Sequence, residues 1–115
     1  MTDYTAIVDR SLTAWNETDA EARAKAVAAS WTETARFADP LADLTGHDQI
    51  SAFIGQVHQR FPGLPLRRGE ILDGHHDTVR FTWTLGPEGG EPVVRGYDVL
   101  VLDGDRIALQ LGFFD

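Results

Sequence analysis

Two aspartates carry most of the chemical interest of this sequence. Asp39 lies in Arg36-Phe37-Ala38-Asp39-Pro40-Leu41, among apolar neighbours and directly before a proline. The residue before a proline is held in extended backbone, so Asp39 is expected at a strand end with its side chain fixed in direction. Asp98 is the one charged residue on a strand face that it shares with Val94, Gly96, Leu100 and Leu102. Burying even a neutral polar group without a partner costs about 2–7 kcal/mol. Asp98 must therefore be protonated, hydrogen-bonded or open to a cavity. A carboxyl in an apolar cavity resists ionisation and becomes a usable proton acceptor near neutral pH. An aspartate on a solvated turn is ordinary, and a buried one can equally be a structural group satisfied by backbone or arginine.

The other chemistry-bearing residues are less suggestive. Cysteine is absent, which removes disulfides, thiolate nucleophiles and zinc–thiolate sites. His75 and His76 are neighbours whose side chains face opposite ways in extended chain; with Asp77 they read as a solvated hairpin loop. His47 opens a helix. His58 sits at the margin of an apolar stripe and reads as a hydrogen-bonded structural histidine. No His/Asp/Glu spacing suits a metal, and no cofactor is expected. Gly86-Pro87-Glu88-Gly89-Gly90 joins two strands, without the helix N-terminus that a phosphate cradle uses. No Gly-x-Ser-x-Gly element supports a serine nucleophile.

The elements that must position the aspartates follow from periodicity. Tyr4, Ile7, Val8, Ser11, Leu12 and Trp15 recur at helical steps from Thr2 to Asn16. Ser11 interrupts that stripe, either making room for a neighbour or presenting its hydroxyl to a pocket. An alanine-rich segment capped by Asp19 predicts a second helix through about Trp31, with Val27 and Trp31 sealing against the first. Thr34 to Asp39 reads as a short strand and Pro40 to Gly46 as a loop. A third helix is expected from His47 to Phe61, burying Ile50, Phe53, Ile54, Val57 and Phe61, and Pro62-Gly63 stops it. The period then changes to two, giving strands at about Leu66–Leu72, Thr78–Leu85, Val93–Leu102 and Arg106–Phe114. Short turns between them imply an antiparallel meander. Helices followed by strands define an α+β domain, and the whole chain, 1–115, reads as that one domain.

Charge and composition narrow the partners. A net charge of −8, with only Arg67-Arg68 as a basic pair, speaks against nucleic acid and anionic membranes. The 43% hydrophobic and 24% charged content is that of a soluble globular protein. The N-terminal residues show no basic stretch followed by an apolar run, so a cytoplasmic location is expected. Both faces of the strand Val93–Leu102 are substantially apolar. Three helices can cover one of them, so the outer face is expected to meet a second copy in a homodimer.

Phe37-Ala38-Asp39-Pro40-Leu41, Gly46-His47-Asp48-Gln49-Ile50, Gly96-Tyr97-Asp98-Val99 and Asp103-Gly104-Asp105-Arg106-Ile107 occur in an order and spacing that resemble the nuclear transport factor 2-like superfamily. The likeness extends to its SnoaL-like and ketosteroid-isomerase-like branches and covers nearly the whole chain. It implies a cone-shaped (cystatin-like) barrel, with three N-terminal helices packed on a curved, mainly antiparallel sheet around an apolar pocket. Trp15, Phe53, Val57, Trp83 and Ser11 are the residues expected to bind there. The isomerase resemblance makes Asp39 the base next to a carbonyl. It makes Asp98 the protonated donor to the developing oxyanion, a role in which an apolar site keeps the acid neutral. Ser11 stands where the isomerases carry a tyrosine. Tyr4 is two turns away, about 10 Å along the helix, and Tyr97 faces away from Asp98. An epoxide-hydrolase-like reading would need Arg80 or Arg95 to bridge two aspartates. The resemblance thus implies cofactor-independent proton transfer, by isomerisation or aldol-type cyclisation, on a small hydrophobic carbonyl compound. The alternative is a non-catalytic binding or dimerisation module.

Overall fold

The computed structural model describes residues 2–115. In chain order it contains α1 (Tyr4–Asn16), α2 (Ala20–Ser30), β1 (Trp31–Asp39), β2 (Ala42–Thr45), α3 (His47–Arg60), β3 (Leu66–His75), β4 (Thr78–Leu85), β5 (Val94–Asp103) and β6 (Arg106–Phe114). The first two helices start on carboxylate caps. Asp3 accepts a bond from the Ala6 amide at 3.0 Å, and Asp19 one from the Ala22 amide at 2.8 Å. Each satisfies an amide that the first turn leaves without a partner. The stripe Ile7, Val8, Ser11, Leu12 and Trp15 is buried as its spacing requires. On α3, Ile50 and Ile54 are fully enclosed, while Phe53 and Val57 are partly so.

Several boundaries differ from the sequence reading, and three of the differences have consequences for the sheet. The second helix stops at Ser30, and Trp31 is already extended at the head of β1. Its indole is completely buried and bonded to Gln110; that tertiary contact outweighs the helical tendency of the alanines before it. The segment 40–46 is more than a loop, because β2 lies in it and pairs antiparallel with β1. β3 runs on to His75, which confines the reversal to His76 and Asp77, with His76 in the left-handed region at φ 53°.

The strands form one six-stranded sheet in the order β2-β1-β6-β5-β4-β3. β3 to β6 make the expected antiparallel meander. β1 joins it parallel to β6, a pairing no local signal announced. The sheet curves without closing, and β2 and β3 remain as its edges. Register breaks in β1–β6, β3–β4 and β5–β6 mark bulges, which bend strands and increase twist. The concave face holds the core with the helices; Val8, Val27, Trp31, Ile50, Ile54, Phe81, Leu100 and Ile107 are almost wholly buried there. β5 alternates accordingly, with Gly96, Asp98, Leu100 and Leu102 inside and Arg95 and Tyr97 exposed. Tyr97 stacks on Phe113 at 5.0 Å on the outer face.

One glycine is essential to this geometry. Gly96 is opposite Trp83 in the β4–β5 register, and a Cβ there would strike both the Trp83 indole and the Phe113 carbonyl oxygen. The missing side chain lets the indole lie across β5 toward Asp98. Gly96→Ala is expected to lower stability by about 1–3 kcal/mol, the usual size of overpacking in a tight interior; urea unfolding measures it.

Candidate functional site

The sheet order sets the two aspartates on either side of Gly112. Ala38 pairs with Leu111 across β1 and β6, which brings Asp39 next to Gly112, and Asp98 pairs with Gly112 across β5 and β6. A Cβ on Gly112 would lie 3.1 Å from Asp39 Cβ and 3.1 Å from Asp98 Oδ1. Those two atoms are therefore no further apart than twice that distance. The row Asp39–Gly112–Asp98 crosses three strands, and a side chain in its middle would crowd both carboxyl residues.

Asp39 is held by its own turn. Pro40 has no amide hydrogen, and Asp39 Oδ1 accepts bonds from the next two amides, Leu41 at 2.8 Å and Ala42 at 2.9 Å. That fold-back starts β2. Oδ2 receives no bond from the described residues. Burial raises the proton affinity of this carboxyl above its ordinary value, and the two amide bonds pull against the rise.

Asp98 is 5% exposed and is clamped from both sides. Trp83 Nε1 donates to Oδ1 at 2.6 Å, and Gln110 Nε2 donates to Oδ2 at 2.6 Å. Trp31 Nε1 in turn donates to Gln110 Oε1 at 3.2 Å. An indole N–H can only donate, so Trp31 fixes which end of the Gln110 amide is its oxygen and points the NH2 at Asp98. Burial pushes the Asp98 carboxyl up to about 6, against the bonds from Gln110 and Trp83; the charge of Asp39 adds to the rise. Two carboxyls sharing a space, one buried more deeply, titrate apart in this way.

Both aspartates line a cavity of about 250 Å³. Trp15, Phe53, Val57 and Trp83 line it, and so do Leu12, Phe37, Phe81, Gln110, Gly112 and Phe114. Trp15, Phe37 and Phe53 form one aromatic wall, with ring centres 5.7–6.0 Å apart. The volume falls just below the roughly 300–1,000 Å³ of drug-sized sites, so it suits a compact apolar molecule.

Ser11 is a correction. It is wholly buried, its hydroxyl donates to the Val8 carbonyl at 2.7 Å, and it is not among the residues lining the cavity. It makes room inside the helix layer and offers nothing to a ligand. Neither tyrosine replaces it, since Tyr4 donates to the His76 carbonyl at 2.9 Å and Tyr97 is on the outer face. Arg80 pairs with Asp73 and Arg95 with Glu91, so neither bridges the two aspartates. His58 Nε2 donates to the Trp15 carbonyl at 2.6 Å and His47 Nε2 to that of Trp31 at 2.7 Å; both tie helix α3 to the backbone of other elements. Among the described residues, no three His, Asp or Glu side chains gather as a metal site requires. No helix among them is long and apolar enough to cross a membrane.

Sequence reasoning missed Gln110, Gly112 and Trp31 as parts of the site. One signal was present for Gln110, a polar residue amid Leu109, Leu111 and the other apolar positions of β6.

A concave apolar pocket between helices and a curved sheet, with two carboxyls on the sheet, defines a class. The chain belongs to the SnoaL-like family, whose SnoaL-like domain matches residues 8–110. It is similar over 100% of its length to a presumptive isomerase of the SnoaL-like family from Agrobacterium tumefaciens, with 38% identity, 99% of that chain covered and a TM-score of 0.92. A presumptive polyketide cyclase from Sinorhizobium meliloti shares the fold at 18% identity, 93% coverage of both chains and a TM-score of 0.73. A protein from Catenulispora acidiphila with a ketosteroid-isomerase-like fold, crystallised with trimethylamine, shares it at 19% identity, covering 95% of this chain and 85% of that one, with a TM-score of 0.76. No match is found among curated proteins.

The clamp on Asp98 has a measurable signature. Its folded-state proton affinity exceeds the unfolded value of 3.8, so its stabilising contribution is complete below that value and is lost as pH rises through about 6. Gln110→Leu removes a bond that favours the charged form and leaves Trp31 Nε1 without a partner. A loss of about 1–3 kcal/mol is expected, larger at pH 7 than at pH 4, as read by urea unfolding at the two pH values.

Proposed function

We propose that this protein catalyses cofactor-independent proton transfer on a small hydrophobic carbonyl compound, by isomerisation or aldol-type cyclisation. The observation that carries the reading is the Asp39–Gly112–Asp98 row, two carboxyls in one apolar cavity with raised proton affinities. Asp39 Oδ2, free of protein donors, takes the proton from the carbon next to the carbonyl. Protonated Asp98 gives its proton to the carbonyl oxygen as the C–H bond breaks, so the product of this step is a neutral enol. Return of a proton from Asp39 to a different carbon, as the enol O–H gives its proton back to Asp98, completes an isomerisation. Attack of the enol carbon on a second carbonyl closes a ring, with the enol O–H again returning its proton to Asp98 and Asp39 protonating the new alkoxide. Trp83 and Gln110 occupy one lone-pair site on each Asp98 oxygen. A carboxyl has about four such sites, so one remains on either oxygen for the transferred proton. The similarity to presumptive isomerases and cyclases supports the same class. The exposed aromatic face bearing Tyr97 and Phe113 is where a second copy would pack in the expected homodimer.

A second reading keeps the cavity and drops the chemistry. Two carboxyls facing Trp15, Phe37 and Phe53 could hold a small organic cation, and a protein of this fold was crystallised with trimethylamine.

Proton exchange separates the two. With small cyclic ketones such as cyclohexanone and 2-indanone in D2O, the protein is expected to speed deuterium incorporation above buffer. Asp39→Asn should lower the rate by about 10²–10⁴, the range of a general base. Asp98→Asn should lower it by about 10²–10³, the range of one oxyanion donor. The active form has Asp39 ionised and Asp98 protonated, so the wild-type rate should fall as pH rises through about 6. Exchange no faster than buffer would leave the binding reading. A rate that instead climbs through that pH and levels off would make Asp98 the base.

A further inference from the structure

The cavity is electrically asymmetric. Among the described residues lining it, three are charged: Asp39, Asp98 and Arg60. Asp98 is almost fully buried, whereas Arg60 is exposed in the last turn of α3. Arg60 also borders an adjoining, more open groove, together with Leu41, Phe53, Val57 and Phe61. The edge shared by the two spaces includes the exposed Leu41 and Arg60, and we take it as the mouth of the cavity. Asp98 thus stands in the buried part of the cavity, with the half-buried Asp39 beside it, and an exposed guanidinium lies on the side shared with the open groove.

Arg60 has no visible structural partner for its charge. It forms no ion pair or side-chain hydrogen bond with any described residue, unlike Arg10, Arg36, Arg67, Arg68, Arg80 and Arg95, which each pair with an acid. Arg23, Lys25 and Arg106 likewise form no ion pair among the described residues, but of these four cations only Arg60 lines the cavity. Its guanidinium is positioned over the Phe61 ring, 5.8 Å from the centre, which steadies the side chain at the rim while leaving its five N–H donors available. Placement near a helix C-terminus suits a cation, but does not account for its facing the cavity.

We infer that the substrate carries an anionic group, a carboxylate in the simplest case, on the side away from its reacting carbonyl, and that Arg60 binds this group at the cavity mouth. An anion driven inward would meet the Asp39 carboxylate across an apolar space, where like charges repel strongly. At the mouth it meets a planar fork that binds a carboxylate through two parallel bonds. The neutral carbonyl is delivered to Asp39 and Asp98, and the acidic tail stays outside. Arg60 is a substrate-orienting residue that takes no part in the proton transfer. This rests on the proton-transfer reading only for naming which end goes in; the anion site itself can be tested without catalysis.

A matched pair of unreactive probes makes the test. Cyclohexylacetate and cyclohexylacetamide have nearly the same shape and differ in charge, and their binding to the intact chain can be followed by NMR titration or calorimetry at low salt. The carboxylate is expected to bind at least about tenfold tighter, the size of one charge-assisted hydrogen bond. The preference should weaken with added salt, persist in part in Arg60→Lys, vanish in Arg60→Gln and reverse in Arg60→Glu. Arg60 is exposed, so these variants should fold, and their unfolding curves check it. Equal binding of the two probes, a preference unchanged in Arg60→Gln, or no binding of either at millimolar concentration would overturn the inference. Carboxylate preference without ketone exchange would remove the chemistry and keep the anion site. Exchange without preference would do the opposite.

Discussion

Asp98 is a carboxyl buried in an apolar interior and bonded on both oxygens to N–H groups. Left unpaired there it would cost several kcal/mol. Two indoles and an amide are arranged to offset that cost without cancelling it. Trp31 sets the Gln110 amide, Gln110 and Trp83 hold the carboxyl, and the absence of a side chain at Gly96 gives the Trp83 indole its path. What is left over is a group whose affinity for a proton stays well above that of a solvated aspartate. The apolar helices and the curved sheet supply the dry surroundings, and the strand order brings the second carboxyl beside it.

The arrangement also divides the site between the strands that hold the acids and the helices that wall the cavity. Asp98 and Gln110 are on central strands, each hydrogen-bonded to neighbours on both sides. Asp39 is at a strand end, where its own carboxylate closes the turn into β2. The helical wall, Trp15, Phe53 and Val57, sets the shape of the space. Trp15, Phe53 and Val57 make none of the hydrogen bonds that hold the pair of acids.

Much of this was readable from the residues. Asp39 before Pro40, and Asp98 alone on an apolar strand face, were both visible as carboxyls with unusual surroundings. The alternation of β5 and the helical stripes gave the elements and most of the cavity wall. Other features depended on distant partners. Trp31 looked like the end of an alanine-rich helix because nothing local reveals that its indole meets Gln110, 79 positions later. The parallel pairing of β1 with β6 has no turn to signal it, so Gly112 could not be recognised as the gap between the aspartates. Ser11 failed for the opposite reason. A hydroxyl on a buried helical stripe reads equally well as a pocket group or as one bonded to its own helix, and the Val8 carbonyl was the nearer acceptor.

The raised proton affinity of Asp98, maintained in part by the charge of Asp39, underlies both the proposed chemistry and the pH behaviour. Carbon-13 labelling of the aspartate side chains, followed by NMR through a pH titration, reads it without any substrate. The Asp98 carboxyl should titrate near 6 in the wild-type chain and shift downward in Asp39→Asn, where the neighbouring charge is gone. A midpoint in the ordinary aspartate range, about 3.9, or one unmoved by the Asp39 substitution, would contradict a coupled pair of carboxyls at this site.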